Sequence, residues 1–152
     1  MPKTKWSQLS PLQLGKYGEY YAKMEFSSYG FDVYTSEVDD HGVDFVAKDI
    51  KTGIFYEVQV KSLYKSNNVI LPKDKLVLDE RHLVCFLHFV EDKLPKVYII
   101  PATAWNNPNE ALADRNYDKP GQKSKPEWGI NYSQKNISLL EPYIAEKFFQ
   151  HR

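Results

Sequence analysis

One cysteine among 152 residues excludes an internal disulfide. Cys85 lies in the apolar run Leu83-Val84-Cys85-Phe86-Leu87 and reads as a buried free thiol. No run approaches the roughly 18 apolar residues that cross a membrane. Met1-Pro2-Lys3-Thr4-Lys5-Trp6 lacks the apolar stretch of a signal peptide. A cytoplasmic setting without membrane association is therefore expected. An excess of either charge is also missing. Twenty basic and twenty acidic residues cancel, which argues against a protein that coats nucleic acid unselectively. There is no internal repeat, no low-complexity tract and no linker, so residues 1–152 read as a single domain. His82 and His88 have no partner at metal-ligand spacing, which argues against zinc. No GxSxG or phosphate-loop pattern occurs.

What the chain does have is unevenly placed. Residues 36–57 carry Glu37, Asp39, Asp40, Asp44, Asp49 and Glu57 against two lysines, while residues 115–135 carry Arg115, Lys119, Lys123, Lys125 and Lys135 against two acids. An acidic pocket with basic flanks suits a metal-using enzyme on a polyanion, and composition alone suits a solvated mixed surface equally well. Ser10-Pro11-Leu12-Gln13 is a helix start with a capping box, and the helix should run over residues 11–29 and stop at Gly30. Leu14, Gly18, Tyr21, Ala22 and Glu25 form one stripe, with Glu19 at its edge. Strands are expected at 31–36, 42–48 and 54–63, the last two as a hairpin. A short extended piece follows at 69–72, then strands at 82–90 and 96–100 and a last short strand at 128–132. Residues 106–126 read as a long loop and 136–150 as a closing helix.

In Tyr56-Glu57-Val58-Gln59-Val60-Lys61, alternation puts Glu57, Gln59 and Lys61 on one face and the apolar residues on the other. Taken alone, this is an ordinary half-exposed strand with a wet face. Asp44 changes the reading. It lies on the neighbouring strand between Val43 and Phe45, where cross-strand pairing brings it toward Gln59, or toward Glu57 in another register. A carboxylate and an amide oxygen are the hard ligands that Mg²⁺ prefers. Lys61 on the same face could orient water or hold a phosphate.

Gly18-Glu19, Gly42-Val43-Asp44-Phe45 and Glu57-Val58-Gln59-Val60-Lys61 together resemble the PD-(D/E)xK nuclease superfamily, which includes restriction enzymes, Holliday-junction resolvases and homing endonucleases. The resemblance implies an α/β restriction-endonuclease-like fold with an αβββαβ core and a mixed central sheet flanked by helices. It implies a DNA endonuclease that hydrolyses phosphodiester bonds with Mg²⁺, Mn²⁺ serving as substitute, and no covalent intermediate. Asp44 then matches the first acid of the motif, Gln59 its second position, Lys61 its lysine and Glu19 the acid on the helix. Asp44, Gln59 and Glu19 would hold the metal. The chain departs from the motif at Val43, which replaces proline, and at Gln59, which replaces a carboxylate and removes one negative charge. Glu57 is the alternative source of that charge. A homodimer is expected, because so small a domain reaches both sides of a duplex by pairing. The other reading is an inactive nuclease-fold module that binds nucleic acid or protein.

Overall fold

The computed structural model describes residues 1–35, 37 and 41–152. The expected end of the first strand at Ser36, and Asp39 and Asp40 of the acidic segment, lie outside the described residues.

The first helix, α1, spans Pro11–Ser28. Its capping box closes as the sequence requires: Gln13 N–H donates to Ser10 Oγ at 3.1 Å, and Ser10 N–H donates to Gln13 Oε1 at 2.9 Å. Gly30 ends it with φ +87°, a left-handed angle that glycine adopts freely. Its buried stripe is Leu14, Gly18, Ala22 and Phe26.

Strands β1 (Phe31–Thr35), β2 (Phe45–Asp49) and β3 (Phe55–Tyr64) form an antiparallel meander. Then β5 (His82–Phe89) pairs parallel to β3, and β6 (Lys96–Pro101) pairs antiparallel to β5. The main sheet is therefore mixed, in the order β1-β2-β3-β5-β6. A parallel pair needs a crossover. Here that crossover holds β4 (Asn68–Pro72) and a single 3-10 turn (Lys73–Lys75) where an αβββαβ pattern has a helix. β4 leaves the main sheet to form a second sheet with β7 (Leu112–Arg115) and β8 (Glu127–Asn131), in the order β4-β8-β7.

The two faces of the main sheet carry separate cores. Under α1, Ala22, Phe26, Phe45, Ala47, Val58, Leu83, Cys85 and Leu87 pack together with Ala145 and Phe149 of the C-terminal α3 (Ala145–Gln150). Under the second sheet, Leu63, Leu71, Val84, Phe86, Tyr98, Ile100, Trp105 and Ile130 pack together. Phe26 shows how the first core is held, its ring edge-on to Phe31, Phe45 and Phe149 at 5.1–5.4 Å. Cys85 is fully buried, and desolvation pushes its thiol pKa up, so it is inert.

The second sheet covers the face of β3 opposite α1 at Leu63, while Glu57 at the start of the strand stays exposed. Two sequence expectations are corrected. The 106–126 loop contains β7, a strand with one core residue, Leu112, and so without visible alternation. The closing helix is broken into α2 (Ile137–Leu140), a 3-10 turn (Glu141–Tyr143) and α3. Pro142 accounts for the break, and Ile144 is extended (ψ 135°), bridging to Tyr98.

Gly18 is where α1 comes down onto β3. A Cβ there would lie 2.0 Å from Ser62 Oγ, 3.4 Å from Ser62 Cβ and 3.8 Å from Phe89 Cε2. Ser62 Oγ is buried without a hydrogen-bond partner, so only its bulk is at stake. Gly18→Ala is expected to lower stability by about 1–2 kcal/mol despite the better helix propensity of alanine. In a Ser62→Ala background the same change should be neutral or stabilising by up to about 1 kcal/mol. Urea unfolding of the four proteins measures the coupling; additive effects would refute the contact.

Candidate active site

The ladder between β2 and β3 ends early. Phe45↔Val58 is its last strand pair, and Asp44 N–H donates to the C=O of the same Val58 at 2.9 Å, so the regular register stops there and Asp44 is not paired with Gln59. Beyond that point β2 leaves. The N–H of Val60, which an unbroken ladder would satisfy with backbone, is taken by the Asp44 carboxylate at 2.6 Å. Asp44 is thus fixed in place by the termination of the sheet. Its role is partly structural, because it caps a strand edge as serine caps a helix.

Glu19 comes to the same place from α1. It lines one cleft of about 580 Å³ together with Asp44, Val60, Gly15 and Lys16. The Lys16 ammonium sits 3.7 Å from its carboxylate. Lys61 lines the adjoining cleft, which shares Pro11, Gly15 and Val60 with the first and continues past Ser62 and Tyr64 to Ser66. The structure therefore brings Glu19, Asp44 and Lys61 to the open edge of β3. Gln59 lines neither cleft. It is buried, at 8% exposure, and its Oε1 has no hydrogen-bond partner. Its neighbour is Gly42, where a Cβ would lie 3.4 Å from Gln59 Nε2 and 2.9 Å from the Lys75 carbonyl oxygen. With φ +80°, Gly42 is required both for the turn and for the space.

Glu57 is placed elsewhere. Its carboxylate pairs with His82 Nε2, and Asp79 takes the other ring nitrogen at 2.6 Å. The hydrogen bond from His82 is the main reason the Asp79 carboxyl lies below its usual range. His82 thus ties the start of β5 to the start of β3, a brace that sequence spacing did not reveal. His41 is exposed. Lys73 is held by Asp114 at 2.5 Å and Asn116 at 2.6 Å and lies over the Trp128 ring, so it braces the second sheet.

Among the described residues no group of three His, Cys, Asp or Glu side chains stands close enough to hold a metal ion. A cation at this edge would depend on a mixed set of two carboxylates and an amide. Glu19 and Asp44 fit such a group as two carboxylates that line one cleft, whereas Gln59 lies behind it. Gln59 Oε1 is a buried oxygen acceptor without a donor, and a buried polar atom costs about 1–3 kcal/mol when left without a partner.

A mixed five-stranded sheet with α1 and α3 on one face defines a restriction-endonuclease-like fold. The chain is similar to Hjc, a Holliday junction resolvase from the archaeal hyperthermophile Archaeoglobus fulgidus, with 14% identity and a TM-score of 0.56 over 90% of this chain and 95% of that one. It is also similar to a bacterial homing endonuclease, with 20% identity and a TM-score of 0.50 over 78% of this chain and 89% of that one. Both are PD-(D/E)xK nucleases, and the likeness establishes the fold they share with this chain. No protein-family model matches the sequence, and no curated protein matches it. No helix among the described residues is long and apolar enough to cross a membrane.

The capping role of Asp44 has a consequence for mutagenesis. Asp44→Ala leaves Val60 N–H without its acceptor and should cost about 1–3 kcal/mol of stability. Asp44→Asn keeps an oxygen acceptor and loses the charge, so its cost should stay under about 1 kcal/mol. Thermal unfolding of both variants checks this; equal losses would mean that charge, not the hydrogen bond, holds the edge.

Proposed function

We propose that the chain is a metal-dependent DNA endonuclease that hydrolyses phosphodiester bonds. Glu19, Asp44 and Gln59 would hold Mg²⁺, or Mn²⁺ in its place. When bound, such a cation stabilises charge on the phosphate and lowers the pKa of attacking water. The observation that carries the reading is that Glu19, from the helix, and Asp44, immediately before β2, line one cleft, with Lys61 in the adjoining one. Asp44 and Glu19 supply oxygen ligands. Gln59 supplies a neutral oxygen where the superfamily motif has a carboxylate. The Lys61 ammonium offsets the phosphate charge and orients the water. No side chain need act as nucleophile, so a covalent intermediate is not required.

A second reading, an inactive module that keeps nucleic-acid binding, draws on Gln59 and on the absence of three clustered acids among the described residues. Cleavage assays on supercoiled plasmid and on branched DNA, with Mg²⁺ or Mn²⁺, separate the two. Activity is expected, falling about 10²–10⁴-fold in Lys61→Ala and Asp44→Asn. Gln59→Glu should tighten Mn²⁺ binding about tenfold by calorimetry, because affinity follows ligand charge. Binding of DNA without cleavage, and with no response to Gln59→Glu, would favour the inactive module.

The same reading includes a homodimer, since one chain presents one candidate active site and a duplex has two strands. Light scattering at micromolar concentration should give twice the 17.7 kDa chain mass. A monomer bound to DNA would remove this part of the proposal.

A further inference from the structure

We propose that the outer face of the second sheet is a stacking site for an unpaired nucleobase, with the Arg115 guanidinium as its platform. Choosing a nucleobase as ligand rests on the nucleic-acid function proposed above; the platform itself does not.

Side chains alternate along the three strands. Val69, Leu71, Leu112 and Ile130 point into the second core, which leaves Asn68, Ile70, Ala113, Arg115, Glu127, Gly129 and Asn131 on the outside. At the centre of that outer face Gly129 pairs with Ala113 on one side and Ile70 on the other. A Cβ on Gly129 would lie 2.3 Å from Nη1, 2.6 Å from Cζ and 2.8 Å from Nη2 of Arg115. Three atoms of one planar group at such similar distances mean that the guanidinium lies flat over the glycine. The glycine forms a slot, and the arginine fills it.

The in-plane donors of that group are largely spoken for. Nη1 donates to Glu127 Oε2 at 2.6 Å, and Nη2 donates to Asn68 Oδ1 at 2.6 Å and to Asn131 Oδ1 at 2.5 Å. Glu127 is nearly buried, so its carboxylate cancels the charge locally. A phosphate or carboxylate ligand would find three of the five N–H donors taken and the charge paired with Glu127. The Arg115 side chain keeps 19% exposure and lines a cleft of about 410 Å³ with Asn67, Asn68, Asn131, Tyr132 and Ser133, so the side of its plane turned away from Gly129 is the surface assigned to the ligand. A guanidinium face stacks on planar π systems, and unpaired bases are commonly held this way. Amide and hydroxyl groups at the rim match the hydrogen-bonding edge of a base. The cleft is joined to the candidate active site by adjacent residues, since Ser66 lines the Lys61 cleft and Asn67 lines this one. The substrate class this implies is DNA with an unstacked base near the scissile phosphate, as at a branch, a frayed end or a single-stranded segment.

The test is an NMR titration of the full chain in EDTA with a single-stranded oligonucleotide and with an abasic strand of equal length. Upfield ring-current shifts at the Arg115 side chain and the Gly129 amide are expected with the base-bearing strand alone. Arg115→Lys, which keeps the charge and loses the plane, should weaken binding of that strand about tenfold and leave abasic binding unchanged. Equal shifts with both strands would mean a phosphate contact, and no shift with either would mean a purely structural brace; each overturns the proposal. Because the wild-type titration decides this, an unstable Arg115→Lys does not. Cleavage assays on the same wild-type chain with Mg²⁺ or Mn²⁺ separate the two readings, since base-dependent shifts in a wild-type protein that never cleaves would end the nuclease proposal and leave the stacking site standing.

Discussion

The geometry of this molecule depends on one broken ladder. Where β2 leaves β3 after Phe45, a backbone N–H on a buried strand loses its natural partner, and the Asp44 carboxylate replaces it. An unmet backbone donor is costly, so the acid and the strand edge hold each other in place. The open edge created there lies beside α1, which packs on the same face of the sheet. This is how a helix residue, Glu19, comes to share a cleft with a residue 25 positions later in the chain. The close approach needs Gly18 over Ser62. A structural solution to sheet termination and a cluster of oxygen ligands are thus one arrangement.

Covering both faces of the main sheet changes the meaning of its polar residues. In a sheet with one wet face, Gln59 and Lys61 would be ordinary surface. Gln59 instead sits beside Gly42 at 8% exposure with an unpartnered oxygen, a position that a passive polar residue rarely occupies. The second sheet is small and has its own polar outer face, braced by Arg115 across all three strands. The chain therefore spends few residues on helices. The crossover that elsewhere is a helix here supplies one strand of that sheet.

Legibility in the sequence followed the strength of local signals. The capping box at Ser10 and Gln13, the small residues Gly18 and Ala22, and the alternation in β3 each report a physical requirement set by near neighbours, and each could be read directly. The β2–β3 hairpin could be read for the same reason, and it carried Asp44 with it. What could not be read depends on distant partners. Leu112 looks like a stray apolar residue until β8 is beside it. Apolar spacing over 136–150 suggested one helix, although Pro142 was the visible warning. The Glu57–His82–Asp79 brace joins the starts of two parallel strands, and no sequence spacing announces a parallel register. Gly129 gave no signal at all, since its need arises from an arginine 14 residues earlier on another strand.

Gln59 decides how the site should be understood electrostatically. With a carboxylate there, three acids would crowd one edge and repel one another without a cation, raising at least one pKa. With an amide, Glu19 and Asp44 remain the only acids of the candidate set, Lys16 pairs with the first and Val60 N–H holds the second. The edge is then stable without metal, at the expense of weaker attraction for one. Such a site is expected to depend on the substrate phosphate to complete the coordination of a cation, so metal and nucleic acid would bind together more tightly than either alone. The missing charge is therefore not in itself evidence of decay. It moves the site from one that stores a metal to one that would assemble it on the substrate.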